Sequence, residues 1–116
     1  MVIITPENKI SVSALKEMAE KMFGNLVKAV VDTEKEIMAI DGELHADEEL
    51  LLIESGSKRV NLWGINLYPE LEGEQFIEFD SMINIKPSEG NRSRGVDDPE
   101  IRKKILEIVR KLILKD

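Results

Sequence analysis

The sequence predicts a two-layer α+β domain: a mostly antiparallel sheet with three helices, near residues 12–23, 48–55 and 99–114, packed on one face. Three observations carry that expectation. From Phe76 to Lys86 the chain alternates, with Ile77, Phe79, Ser81, Ile83 and Ile85 on one side and Glu78, Asp80, Met82, Asn84 and Lys86 on the other. That is the period of a half-buried strand. Residues Leu26–Val31 and Ile37–Ile40 are apolar and β-branched, and the polar turn Asp32-Thr33-Glu34-Lys35 between them makes a hairpin. Residues 99–114 place apolar side chains at the helical period. A sheet and amphipathic helices that must each bury one side form layers around one core.

The elements follow in order. Val2–Ile4 suits a short edge strand, ended by Thr5-Pro6. Ser11 is placed to cap a helix, with Ile10 and Leu15 as a hydrophobic staple across its first turn. Leu15, Met18, Ala19 and Met22 form its buried stripe, and Gly24 stands where helices stop. After the hairpin, Asp41-Gly42 is a second turn. Asp47 is expected to cap a short helix over about 48–55, closed by Gly56. A strand through Leu50–Ile53 competes with it, because four apolar residues do not decide the period. Asn61–Tyr68 is the next strand, with Trp63, Ile65 and Leu67 on one face and Leu62, Gly64 and Asn66 on the other. Pro69 ends it, and the acidic loop Glu70–Glu74 returns the chain to Phe76. An antiparallel pair formed this way brings Gly64 and Asn66 close to Asp80 and Glu78. A glycine beside a carboxylate leaves a gap in the side-chain layer. Pro87 ends the alternating strand, and the polar loop Ser88–Arg94 leads on. Asp97-Asp98-Pro99-Glu100 then opens the last helix with an acidic cap, a first-turn proline and an acid. Ile101, Ile105, Ile108, Val109 and Leu112 form its stripe; Leu106, Ile113 and Leu114 widen it beyond what one sheet face needs.

Composition excludes several classes. With 116 residues, 42% apolar and 34% charged, the chain has enough core for one globular domain, 1–116, and is not a disordered segment. No apolar run is longer than that of Leu50–Ile53, far short of a membrane span, and no membrane association is expected. Residues 1–9 carry no basic stretch ahead of a long apolar one, so no signal peptide is expected and the cytoplasm is the default compartment. There is no cysteine, hence no disulfide framework and no thiolate nucleophile. A net charge of −7 disfavours nonspecific DNA binding while leaving room for a local phosphate site. The plentiful lysine and glutamate resemble the mix of hyperthermophile proteins.

Three constellations have side chains suited to chemistry. The first is the basic loop Lys86, Asn91, Arg92 and Arg94, in which Gly90 and Gly95 let backbone N–H groups converge. Arginine forks suit phosphate or carboxylate, and the helix terminus that follows adds a favourable dipole. Asp97 and Asp98 already stand at that terminus, so internal salt bridges are the competing account. The second is Glu43, His45 and Asp47, which project to one side of an extended segment and would offer mixed nitrogen and oxygen ligands to a divalent metal. With one histidine in the chain and Asp47 expected as a cap, no metal is favoured there. The third is Glu78 and Asp80, a carboxylate pair on the outer face of the alternating strand, flanked by Asn66 and Asn84. No glycine-rich nucleotide fingerprint, Walker motif or nucleophile elbow is present, and no cofactor is implied.

Over Gly42–Glu49 (GELHADEE), Leu62–Pro69 (LWGINLYP) and Phe79–Arg102 (FDSMINIKPSEGNRSRGVDDPEIR) the chain resembles an uncharacterised prokaryotic family of proteins about this size, a domain of unknown function. The resemblance spans essentially the whole chain and implies no activity, cofactor or site residue. The residues themselves point first to a binding module or small enzyme for a phosphate-bearing or other anionic ligand. In it Lys86, Asn91, Arg92 and Arg94 bind the anion, Arg92 and Arg94 as clamps and Lys86 as a point charge, with Asn66, Glu78, Asp80 and Asn84 as secondary candidates. The alternative is a noncatalytic interaction protein that forms a homodimer through the apolar edge of the last helix. A third reading is a metal-dependent hydrolase using Glu43, His45 and Asp47.

Overall fold

Apolar side chains on both sides make residues 27–32 the centre of the sheet. A computed structural model describes all 116 residues, Met1–Asp116. Strands β1 (Val2–Ile4), β3 (Val27–Asp32), β4 (Ile37–Ile40), β5 (Leu62–Leu67) and β6 (Ile77–Glu78) form one sheet in the order β1-β4-β3-β5-β6. Every pairing in it is antiparallel. Helices α1 (Val12–Lys21), α2 (His45–Glu54) and α3 (Pro99–Leu112) cover it, and β2 (Ile10–Ser11) pairs in parallel with β7 (Ile113–Leu114). The α+β class is as the sequence predicts, and no helix is long and apolar enough to cross a membrane.

The layering differs from the expectation. Ala29, Val31, Met38, Ile40, Trp63, Ile65 and Leu67 form one face, packed against Leu15 and Ala19 of α1 and Ile105, Ile108, Val109 and Leu112 of α3. The alternate positions Val30, Ala39 and Leu62 form the other face, covered by Leu52 of α2. Two helices therefore share a face and α2 lies opposite. The reason is that β3 and β4 are apolar at both parities, so the second face also needs a cover.

Helix ends follow local chemistry. Ser11 Oγ accepts from Ala14 N at 3.1 Å, and Asp98 Oδ1 from Glu100 N at 2.9 Å behind Pro99, both as expected. The last helix stops at Leu112 rather than 114, because Ile113 and Leu114 become extended and pair with Ile10 and Ser11. Ile113 packs against the main core, which accounts for part of the surplus apolar breadth; Leu114 is half exposed. Helix α2 starts at His45, three residues earlier than expected, and its cap is Leu44, whose side chain cannot accept a hydrogen bond. Asp47 lies inside the first turn instead of capping it.

The largest departure is in the alternating stretch, where only Ile77 and Glu78 form a strand. Beyond them, Ser81 Oγ accepts from Ile83 N at 3.2 Å and starts a 3-10 turn over Met82–Asn84; a second turn spans Pro87–Glu89. The Asn84 amide then replaces a strand, its Oδ1 accepting from Gly64 N at 2.8 Å and its Nδ2 donating to Gly64 O at 3.0 Å. Polar side chains that bond to backbone compete with a ladder, and here they win.

Candidate functional site

On the α2 face the surface opens beside the start of the helix. The resulting cleft, about 380 Å³, has Lys28 and Asn66 on its floor, Leu44, His45 and Ala46 on one side and Asp80 to Ile83 with Arg94 on the other. Lys28 and Asn66 are register partners, and Asn66 pairs in turn with Glu78. Since Leu44 offers no side-chain cap, the backbone N–H groups of His45 and Ala46 have no acceptor within the chain. Free N–H groups at a helix start attract negative charge. Arg94 Nε donates to Asp80 Oδ1 at 2.6 Å, an exposed pair that raises the guanidinium further above its ordinary value. The rest of the Arg94 fork has no partner.

His45 is buried, and its Nε2 lies 2.8 Å from Ile65 O. A carbonyl only accepts, so Nε2 carries the proton and Nδ1 keeps its lone pair. Burial pushes the imidazole below its ordinary pKa, opposed by the Ile65 bond and helped by Lys28, which favours the neutral ring. The ring fits there because residue 64 is glycine. A Cβ at Gly64 would lie 2.5 Å from Ser81 Cβ and 3.2 Å from His45 Cγ. The gap expected at Gly64 is thus filled by Ser81 and the imidazole, not left open.

The structure does not gather the basic loop. Lys86 is buried, its Nζ donating to Leu62 O at 2.6 Å and Ile83 O at 3.1 Å, 4.3 Å from the Trp63 ring centroid; burial lowers its pKa. Two carbonyls and an aromatic face hold that amine away from the arginines. Asn91 is buried too: its Nδ2 donates to the carbonyls of Asn84, Ser93 and Gly95, and its Oδ1 accepts from Asp97 N. Arg92 is exposed and outside the cleft, and Arg94 alone of the four reaches it. Asp97 and Asp98 do not pair with either arginine side chain; Arg94 bonds to Asp80. Among the secondary candidates, Asn66 and Asp80 line the cleft, and Glu78 lies behind Asn66. Asn84 is buried and fully bonded to backbone.

Glu43, His45 and Asp47 do not converge. Residues two apart on a helix point to nearly opposite sides. His45 faces the sheet while Glu43 and Asp47 face solvent. No group of three His, Asp or Glu side chains in the chain is placed to hold a metal ion.

A protein-family profile described as "Protein of unknown function (DUF5674)" matches residues 2–112. The chain belongs to that family. All three stretches quoted above lie inside the match, and the family is of the size expected from them. No curated protein and no solved structure matches the chain.

In this DUF5674 chain the cleft also holds residues that motif reasoning passed over, chiefly Lys28, Ser81 and the N–H groups of His45 and Ala46. Lys28 did carry a signal. It is the one charged residue in the apolar run Leu26–Val31, set on the parity opposite Ala29 and Val31. The uncapped turn had none, because Asp47 offered a conventional cap nearby.

Proposed function

We propose that the protein binds a small anionic molecule, a carboxylate or a phosphate ester, in the cleft at the start of α2. The observation that supports this most directly is the open first turn of that helix. Its two free N–H groups border a cleft that also contains Lys28, which has no carboxylate partner, and the unfilled part of the Arg94 fork. Charge, dipole and donors all favour the same sign there. This keeps the anionic ligand expected from the sequence and moves it from the Lys86–Arg94 loop to the helix, with Arg94 common to both. His45 adds a neutral ring with a lone pair, able to accept a ligand proton.

Calorimetry and thermal shift against a panel of carboxylates and phosphate esters test this, with Arg94→Gln and, as control, Arg92→Gln. At least one anion should stabilise the wild type. The Arg94 variant should bind that anion more weakly than the wild type, and the Arg92 variant as tightly as the wild type. Failure of every anion to stabilise the wild type, or equal loss in both variants, overturns the proposal. A second reading, the homodimer, is supported by two apolar side chains left at least partly exposed, Leu114 of β7 and Leu106 of α3. Light scattering at high protein concentration decides it: a dimer dissociated by Leu114→Glu favours it, and a monomer removes it.

A further inference from the structure

The ring of His45 sets this cleft apart from a bare helix start. It is 9% exposed, and the 2.8 Å contact of Nε2 with Ile65 O holds its orientation and leaves a lone pair on Nδ1. Nδ1 makes no hydrogen bond in the chain. The side-chain atoms sealed from solvent without a partner are Glu48 Oε1 and Asn66 Oδ1, so this nitrogen is open. His45 lines the cleft, and the little surface it keeps lies there. The cleft therefore presents a fixed, accessible acceptor among its donors. The same residue supplies one of the free backbone N–H groups, and covalent geometry keeps that group and Nδ1 close together.

Three charged groups face the imidazole: Lys28 from β3, and Asp80 and Arg94 from the segment after β6. Asp80 is bonded to Arg94, which leaves the charge of Lys28 uncompensated. A cationic donor is repelled there, whereas a proton carried by the anion itself is not. We propose that the ligand is a phosphate that still carries a proton, orthophosphate or a phosphate monoester, whose P–O–H group donates to His45 Nδ1; this rests on the anion-binding reading and specifies it. Its ionised oxygens meet the N–H groups of His45 and Ala46 and the Arg94 fork. A carboxylate or a sulfate has the charge but no proton at neutral pH, and sets lone pair against lone pair at Nδ1. A cleft of about 380 Å³ also has room for a substituent, so the free ion and the ester share one chemistry.

The test is calorimetric titration of the full chain with orthophosphate, glycerol 3-phosphate, sulfate, acetate and dimethyl phosphate, a diester without a P–O–H group. It is run at about pH 6.5, where orthophosphate and part of a monoester with a second pKa of about 6 keep a proton. Orthophosphate or the monoester should bind about tenfold or more tightly than sulfate, acetate and the diester, as expected of a site built around a donor's proton. His45→Gln keeps an amide N–H for Ile65 O but has no acceptor at the Nδ1 position. It should bring phosphate and sulfate level without abolishing anion binding. The wild-type comparison needs no variant, so the proposal stays refutable should His45→Gln not fold. The two sources separate at about pH 8, where the monoester has lost its proton and should weaken about tenfold relative to orthophosphate. Tighter binding of the monoester at the lower pH identifies the ester as the ligand, and the reverse the free ion. Sulfate or acetate binding as tightly as either phosphate overturns the inference and leaves anion binding standing. A preference for phosphate that survives in His45→Gln removes His45 as the acceptor, and the inference falls with it. Binding by no anion of any kind removes both readings.

Discussion

Glu48 offers the sharpest test of the energetics of this fold. It is fully buried on α2; Oε2 accepts from Gly42 N at 2.9 Å, and Oε1 has no partner. Gly42 makes room for it, since a Cβ there would lie 2.7 Å from Glu48 Cγ. Burial pushes the carboxyl from its ordinary 4.5 up to about 9, against the opposing effect of the Gly42 bond. The folded protein therefore keeps Glu48 protonated at neutral pH, whereas the unfolded chain releases that proton above 4.5. Because the folded pKa is the raised one, this contribution to stability is complete below 4.5 and is lost as the pH rises through about 9. Each pH unit in the window costs about 1.4 kcal/mol, so roughly 3 kcal/mol is lost by pH 7. Glu48→Gln retains an acceptor for Gly42 and cannot ionise. Its amide N–H group lies where no acceptor stands, at a pH-independent cost of about 1–3 kcal/mol. Urea unfolding between about pH 5 and pH 9 should show curves that cross, with the wild type more stable at the acid end and the variant at the alkaline end. His45, whose pKa is lowered, loses stability in the other direction as the pH falls, equally in both proteins, and cancels in the difference. Parallel curves would refute the buried, neutral acid.

Two further outcomes follow from the region between β5 and α3. Asn84→Ala leaves Gly64 N–H, Gly64 C=O and Arg94 C=O without their side-chain partner and should lower stability by about 3–5 kcal/mol in urea; a loss under about 1 kcal/mol would show that water replaces the amide. Lys86→Met keeps the apolar stem but removes both carbonyl bonds and the contact with Trp63. It should cost about 2–4 kcal/mol of stability with no change in anion affinity, and a tenfold weaker anion would return Lys86 to the ligand site.

The parts of the fold legible in the sequence are those where one local rule decides. β3 and β4 are apolar runs with β-branched residues and β5 an alternating apolar one, all between strong turns, and Ser11 and Asp98 cap their helices in the usual way. The alternating stretch misled because a period of two describes which side chains are apolar, not whether a partner strand is available. Past Glu78 the partner is the Asn84 amide, whose role depends on a residue twenty positions earlier. For α2, the run Leu50–Ile53 identifies a buried helix without saying which sheet face it covers, and Val30 and Ala39 decide that. The candidate site was legible only in fragments: Arg94, Asn66, Asp80 and His45 were singled out separately, for three different reasons. What joins them is the Lys28–Asn66–Glu78 register across three strands, together with an uncapped helix start. Lys86 and Asn91 carry the right atoms for a ligand, but backbone carbonyls take those atoms first, a competition that spacing alone does not reveal.

The closure of β5 by side chains bears on how this molecule meets its own kind. Along the border that β6 covers for only two residues, Leu62 O is taken by Lys86, Gly64 N and O by Asn84, and Tyr68 N by Phe76 O. A row of unmatched peptide groups invites a strand from a neighbouring copy and, at high concentration, aggregation. Here that invitation is withdrawn without lengthening the sheet, by an amide that imitates a peptide unit and an ammonium buried against a carbonyl. Unfolding of the 79–95 segment alone would expose the same border, so the first aggregating species of this protein should be one in which Asn84 has let go.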